Sequence, residues 1–266
     1  MSDSNLLLEV CGVSNVYETS SLGFLGRKRR IPVLKNINFE IRRGEIFGLV
    51  GESGSGKTTL GNCILGLLGY EGTIRISGKE RRGLRETARN IQAVFQDPDS
   101  SLDPSKTAGF LLEEPLVIHR AGSRTERDRR VDEVLELVGL DSSYKRRRVY
   151  ELSGGQKQRI CIGCALVLEP DLIIADEAVS ALDVSVGAQI LNLFRDLHER
   201  LGLSLFFISH NLNLVYYLCD TIAVMYRGEI VEKGEAEKLY AAPEHPYTKA
   251  LLEAAPGIDR PPQGGV

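Results

Sequence analysis

The sequence contains no apolar run long enough to span a bilayer. Segments such as Leu205-Phe206-Phe207-Ile208 are far too short, so any role at a membrane has to come through a partner. The first residues, Met1-Ser2-Asp3-Ser4-Asn5, show neither the basic start nor the apolar stretch of a secretory leader, and none is expected. A basic excess is also missing. Lys plus Arg total 33 against 36 Asp plus Glu, a formal net charge of −3, which argues against a nucleic-acid partner. Cysteine is sparse and odd in number: Cys11, Cys63, Cys161, Cys164 and Cys219. Scattered thiols without a leader read as reduced. Cys161-Ile162-Gly163-Cys164 has the CxxC spacing, but no second pair and no nearby His completes four ligands. Two small buried helix residues are expected there. There is no internal repeat and no low-complexity segment.

What is present are the proportions of a globular protein: 266 residues, 42% hydrophobic and 26% charged. That length supports one large domain, or a core with a subdomain. Short apolar runs alternate with amphipathic stretches, which predicts an α/β fold. Ile46 to Val50 reads as a buried strand followed by a glycine-rich turn and a helix from near Gly56. Leu172 to Ala175 is a second strand, ending in Asp176-Glu177, and Ser204 to Ile208 a third, ending at Ser209-His210. Polar residues at several strand ends suit a site at the carboxyl edge of a parallel sheet.

From about Gln96 to Ala165 the pattern changes to helices and loops without a convincing strand. Ser123-Arg124-Thr125-Glu126 fits a capping box. Val131, Val134, Leu135 and Val138 follow at helical spacing, with Gly139 as a stop. A further helix is predicted from Val184 to Leu201, with Val186, Ile190, Leu193, Leu197 and Leu201 on one face. Ile222 to Met225 and Glu229 to Val231 flank Arg227-Gly228 as a hairpin. The nine residues after Gly257 hold two prolines and two glycines and are expected to be mobile. Arg27 to Arg30 and Lys145 to Arg148 are basic runs, each expected to be a solvated loop.

Gly51-Glu52-Ser53-Gly54-Ser55-Gly56-Lys57-Thr58 matches GxxxxGK[ST] between an apolar strand and a helix. Glycines let successive N–H groups turn toward phosphate oxygens, and the helix N-terminus adds a positive dipole. Lys57 is expected on the β- and γ-phosphates, and the Thr58 hydroxyl on Mg²⁺. The apolar strand ending in Asp176 has the Walker B form and supplies a second Mg²⁺ candidate. Glu177, the next residue, is placed to orient or deprotonate the attacking water. These two motifs alone leave kinases, GTPases, RecA-like motors and ABC ATPases open.

Leu152-Ser153-Gly154-Gly155-Gln156-Lys157-Gln158-Arg159 narrows the choice. It closely resembles the ABC signature, about twenty residues before the Walker B strand. A Ser hydroxyl and glycine N–H groups at a helix start make a second anion site. On these residues the chain is similar to the ABC transporter ATPases, over nearly its whole length from Tyr17 to about Leu252. The resemblance implies a RecA-like P-loop NTPase core with an inserted helical subdomain: core at 1–96 and 166–240 with an N-terminal β region, helical subdomain at 97–165 and a C-terminal tail at 241–266. It implies ATP and Mg²⁺ bound by Gly51 to Thr58 and Thr59, with Tyr17 stacked on adenine. It also implies a Q-loop residue at Gln96 that senses Mg²⁺-ATP, signature contacts from Ser153, Gly154, Gly155 and Gln156, a D-loop at Ser180-Ala181-Leu182-Asp183, and a γ-phosphate switch at His210.

Phe95-Gln96-Asp97-Pro98, Ser101-Leu102-Asp103-Pro104 and His245-Pro246-Tyr247-Thr248 resemble the oligopeptide, dipeptide and nickel importer group. That likeness implies a peripheral position on the cytoplasmic face of the membrane. Its expected partners are a second, different ATPase chain, two permeases and an extracytoplasmic solute-binding protein. Peptide is the expected solute, with nickel or a metal chelate second. Three positions depart from the family pattern: Ala178 stands where Pro is usual, Cys164 where Arg is common, and Val149-Tyr150 where Pro-His is usual. No cysteine follows Cys219, so the iron–sulfur tail of longer relatives is not expected. Two rivals remain. A DNA-repair or ribosome-associated ABC mechanoenzyme is disfavoured by the single compact cassette. A P-loop scaffold without turnover is disfavoured by the presence of Glu177 and His210.

Overall fold

The computed structural model describes residues 5–19, 29–80 and 88–254. β1 (Leu6–Thr19), β2 (Arg29–Arg42), β4 (Glu71–Ile76) and β5 (Lys79–Glu80) form an antiparallel sheet in the order β2-β1-β4-β5. β3 (Ile46–Val50), β6 (Ile91–Val94), β7 (Leu172–Asp176), β8 (Ser204–Ser209), β9 (Thr221–Tyr226) and β10 (Glu229–Glu235) form the second sheet, in the order β10-β9-β3-β8-β7-β6. All its pairings are parallel except the β9–β10 hairpin. The expected hairpin is therefore present, and its turn residues Arg227 and Gly228 both have positive φ, 48° and 85°.

The three strands read as buried runs are buried at every residue. A parallel sheet covered on both faces needs such runs, and the alternation of side chains sorts them into two cores. Phe47, Leu49, Ile174, Phe206 and Ile208 face the antiparallel sheet, where they meet Leu7, Val10, Phe39, Ile41 and Ile74. The Phe39 and Phe47 rings stack with centroids 5.1 Å apart. α1 (Lys57–Leu65) packs into this same layer through Leu60, Cys63 and Ile64. Ile46, Val50, Ile173, Leu205 and Phe207 face the opposite side, toward α6 (Val184–Leu201) and α7 (Leu212–Leu218). On α6, Ile190, Leu193 and Leu197 are buried as expected; Val186 is half-buried. Leu201 departs from the expectation: it is 49% exposed, because the helix ends there and Gly202 turns the chain away at φ 64°.

Between β6 and β7 lie α2 (Pro98–Ser101), α3 (Ala108–Ile118), α4 (Arg124–Leu137), two 3₁₀ turns (Ser142–Arg146 and Val149–Glu151) and α5 (Gly154–Leu166), with no strand. α4 starts at the predicted Ser123–Glu126 capping box. Val131, Val134, Leu135 and Val138 are buried, and Gly139 ends the run at φ 71°. Cys161 is buried on α5 while Cys164 is only partly so, its Sγ 3.5 Å from the Leu111 carbonyl. Burial pushes the Cys161 thiol up to about 12 and Cys164 higher still.

In the run Lys145 to Arg148, the three arginines are exposed as expected, while Lys145 is half-buried at the end of a 3₁₀ turn and the run is tied down. Lys145 pairs with Asp128 and Asp132 on α4 at 2.7 and 3.0 Å, Arg147 lies over the Tyr144 ring, and Arg148 donates to the Ser105 carbonyl. Acidic residues spaced four apart on α4 offered Lys145 a partner on each turn. Of the other basic run, Arg27 and Lys28 lie outside the described residues, and Arg29 and Arg30 begin β2 instead of a loop. The tail after Gly257 also lies outside them.

α7 approaches β3 closely because Gly48 has no side chain. A Cβ there would sit 2.2 Å from Val215 and 2.8 Å from the Cys219 sulfur. Gly48→Ala should lower stability by about 1–3 kcal/mol through overpacking, seen as a lower urea midpoint. An unchanged midpoint would mean that α7 shifts freely.

Candidate active site

Parallel register brings the polar strand ends to one edge. Val50 pairs with Ser209, Asp176 with Ile208 and Val94 with Ala175. The loop after β3, Gln96 after β6, Glu177 after β7 and His210 after β8 therefore leave the sheet side by side. They surround a cavity of about 630 Å³. Ser53, Gly54, Gly56 and Lys57 to Thr59 line it from the loop and α1, Tyr17 and Val33 from the antiparallel sheet, and Gln96, Glu177 and His210 from the other strand ends.

The loop needs its glycines for stated reasons. Gly56 has φ 109°, a value that strains any side chain. Gly51 has an ordinary φ, but a Cβ on it would fall 2.1 Å from the Met225 carbonyl oxygen. Gly56 is also the N-cap of α1 and offers no side chain to the helix N-terminus. The first N–H groups of α1 thus face the cavity end of the helix without a side-chain cap, the arrangement that receives anions. Lys57 is buried, its Nζ donating to the carbonyls of Gly51 at 2.7 Å and Glu52 at 2.9 Å. Burial pulls its pKa below the ordinary lysine value, against the opposing pull of the Glu177 and Asp176 carboxylates.

Asp176 is buried and its carboxyl is pushed up by burial, with Glu177 adding to the rise while the Thr58 hydroxyl and Lys57 oppose it. Its Oδ1 is buried without a hydrogen-bond partner among the described residues. An orphaned hard oxygen beside a threonine hydroxyl matches the donor set of Mg²⁺. Glu177 sits at φ 54°, a strained backbone for a non-glycine residue, held by its N–H to the Ile208 carbonyl at 2.9 Å. Its carboxylate is 2.8 Å from His210 Nδ1. The imidazole is more than half exposed and the carboxylate mostly covered.

Ser153, Gly154, Gly155, Gln156 and Asp183 do not line this cavity. Ser153 and Gln156 form a reciprocal cap at the start of α5, and Gln156 Nε2 also donates to Tyr144. The glycines there have a packing role that the motif does not announce. Gly154 faces Leu182, and a Cβ on Gly155 would meet Val186 at 2.6 Å. The signature is thus packed against the D-loop and the start of α6, outside the cavity lining that holds Lys57. Asp183 is exposed at the N-cap of α6 without making a side-chain cap. The three departures from the family pattern, at Val149-Tyr150, Cys164 and Ala178, are also outside the cavity lining. The cavity contact missed from the sequence is Val33, an ordinary β-strand valine with no motif to mark it.

Residues 34–180 match the family model for the ABC transporter, and residues 231–265 match that for the oligopeptide/dipeptide transporter C-terminal region. The chain is 48% identical over 259 residues to a putative peptide import ATP-binding protein of Brucella ovis, covering 95% of this chain and 80% of the relative. It is 42% identical over 266 residues to the dipeptide transport ATP-binding protein DppF of Haemophilus influenzae, covering 97% and 80%. Among solved structures it resembles cbiO1 of Clostridium perfringens, part of the ABC transporter complex cbiONQ, with a TM-score of 0.78 at 28% identity over 89% of this chain and 91% of that one. The dimeric bacterial ABC transporter cassette MJ0796 superimposes with a TM-score of 0.74 at 30% identity, over 86% of this chain and 99% of its own. With its loop, strand-end carboxylates and signature helix in the order and fold of these relatives, the chain belongs to the ABC transporter family as one of its ATPases.

Proposed function

We propose that this chain is the ATPase of a peptide importer and works as one half of a head-to-tail pair. The observation that carries the pairing is the separation just described. One chain gathers Tyr17, Ser53, Gly54, Gly56 to Thr59, Gln96, Glu177 and His210 around one cavity, with Asp176 buried next to Glu177 at the end of β7, while Ser153 to Gln156, the second anion site of this reading, are not part of that lining. A second cassette placing its signature over the cavity would close the γ-phosphate side against water. The dimeric structure of the similar cassette MJ0796 supports a pair of cassettes. Peptide as solute is supported by the C-terminal match and by the names of the Brucella and Haemophilus relatives. Permeases, a solute-binding protein, a different partner ATPase and a seat on the cytoplasmic face of the membrane complete the reading. Among the described residues no helix is long and apolar enough to cross a membrane, so the membrane path belongs to partners.

In this reading Tyr17 stacks on the adenine and the 51–59 backbone cradles the phosphates. Lys57 leaves the carbonyls of Gly51 and Glu52 for the β- and γ-phosphate oxygens. Thr58, Asp176 and Gln96 would hold Mg²⁺, which supplies charge neutralisation at those oxygens when bound. Glu177 takes or orients the proton of the attacking water. His210, now on the Glu177 carboxylate, turns to the γ-phosphate and frees that carboxylate for the water. Gln96 lies two residues past the end of β6, and the Phe95 carbonyl between them accepts from Gln158 of the signature helix at 3.4 Å. Occupancy of the cavity therefore reaches the helical segment through one short connection.

Lys57→Ala should weaken ATP binding by about tenfold or more, the scale of a lost charge-assisted hydrogen bond, measured by calorimetry. Near-normal affinity would sink the phosphate-cradle assignment. Glu177→Gln should keep binding Mg²⁺-ATP but lose at least about 100-fold in turnover, the general-base contribution. A fewfold change in phosphate release would show that another group is the base. Ser153→Arg should spare ATP binding to its own chain and impair hydrolysis at the partner's loop. Paired with a partner lacking its own glutamate, it leaves one complete site, so turnover should persist. Loss of ATP binding by the Ser153→Arg monomer would mean that the signature acts in cis.

A further inference from the structure

The C-terminal helix α9 (Pro246–Ala254) does not trail away from the core. It begins at Pro246, within His245-Pro246-Tyr247-Thr248, and that stretch is tied to the core. The Glu232 carboxylate on β10 accepts from the N–H groups of Glu244 and His245, at 2.8 and 3.0 Å. His245 Nδ1 in turn accepts from the Tyr247 N–H at 3.1 Å, serving the first turn of the helix. Pro246 takes the first helical position, where a missing N–H costs nothing, and Thr248 is fully buried. The result is one fixed direction for the Tyr247 ring. It stacks on Tyr226 with centroids 4.2 Å apart, and its hydroxyl accepts the Glu52 N–H at 3.0 Å.

That N–H belongs to the same peptide unit as the Gly51 carbonyl, and the Gly51 carbonyl accepts from Lys57 Nζ at 2.7 Å. One rigid amide plane is therefore gripped at both ends, by Tyr247 on its N–H and by Lys57 on its oxygen. Donation from the N–H also polarises the carbonyl as an acceptor. The plane has little freedom elsewhere, since Gly51 lies against the Met225 carbonyl and the Gly228 N–H donates to the Ser55 carbonyl at 2.9 Å. Tyr247 adds a further restraint on the first limb of the loop, through the Glu52 N–H.

We propose that Tyr247 is a positioning residue for ATP binding, acting through the Gly51–Glu52 peptide to hold the nucleotide loop and Lys57 in register. The assignment rests on the nucleotide-site reading of this loop and extends it to a segment at the far end of the chain. It gives the C-terminal region a task inside the ATP site: the helix acts as a strap whose hydroxyl completes the support of the loop.

Tyr247→Phe removes the hydroxyl and keeps the stacked ring. Its affinity for Mg²⁺-ATP should fall about three- to tenfold, the scale of one net hydrogen bond. Amide hydrogen exchange in nucleotide-free protein should rise in the peptide containing Glu52, and not in peptides of the helical segment. Lys249→Ala, an exposed change on the same helix, should match wild type in both measurements. Tyr247→Ala, read with its melting temperature, reports the ring packing separately. If Tyr247→Phe binds ATP and exchanges like wild type, the assignment is overturned, whatever the alanine variant does. Wild-type protein and Lys57→Ala in the same titration keep the two failures apart. A wild type without ATP binding, or a Lys57→Ala variant that binds normally, refutes the nucleotide site itself. A normal difference between those two with an unaffected Tyr247→Phe refutes the strap alone.

Discussion

Parallel pairing of β3, β8 and β7 is the constraint from which the site follows. In a parallel ladder the carboxyl ends of neighbouring strands emerge together, and here Val50, Ser209 and Asp176 lie within one step of a common edge. The ladder is held in that register by burial on both faces. A slip of one residue would exchange Phe47, Leu49, Phe206 and Ile208 with Ile46, Val50, Leu205 and Phe207, and so exchange two cores of different shape. The phosphate loop, the carboxylate pair and the histidine are thereby brought together, although about 150 residues separate the first from the last. The core provides the precision that the chemistry needs.

At this edge Lys57 donates to two backbone carbonyls, one buried oxygen of Asp176 has no hydrogen-bond partner among the described residues, and Glu177 lies against His210. The strained backbone of Glu177, fixed by its N–H on Ile208, keeps the carboxylate aimed at the cavity while its neighbour Asp176 remains in the strand. Two adjacent carboxylates thereby acquire different surroundings, one buried in the strand and one at its mouth.

The helical segment is linked to this edge by few but specific contacts. Lys157 pairs with Asp99 at 2.5 Å and Gln158 donates to the Phe95 carbonyl, so the signature helix is tied to the connection that carries Gln96. Elsewhere it joins the core through apolar packing with the face of the sheet opposite the antiparallel layer. One ion pair and one hydrogen bond at the connection, with apolar packing behind it, join this segment to the core.

Much of this was legible from residues alone. Unbroken apolar runs announced buried parallel strands, glycine spacing announced the phosphate loop, and Ser123 with Glu126 marked a helix start to the residue, because each of these signals is local and follows from backbone chemistry. The signature string marked the start of α5, where Ser153 and Gln156 cap the helix reciprocally. What the sequence could not disclose depends on which distant side chains share a surface. Val33 has no chemistry to flag it, Lys145 reads as a surface charge until α4 supplies Asp128 and Asp132, and Leu201 continues a helical stripe that the end of the helix leaves in solvent. Tyr247 was visible only as part of a family string. Its place beneath Glu52 was decided by the tertiary structure, since stacking on Tyr226 and a hydrogen bond across nearly 200 residues exist only once the sheet has brought the end of β9 against the phosphate loop.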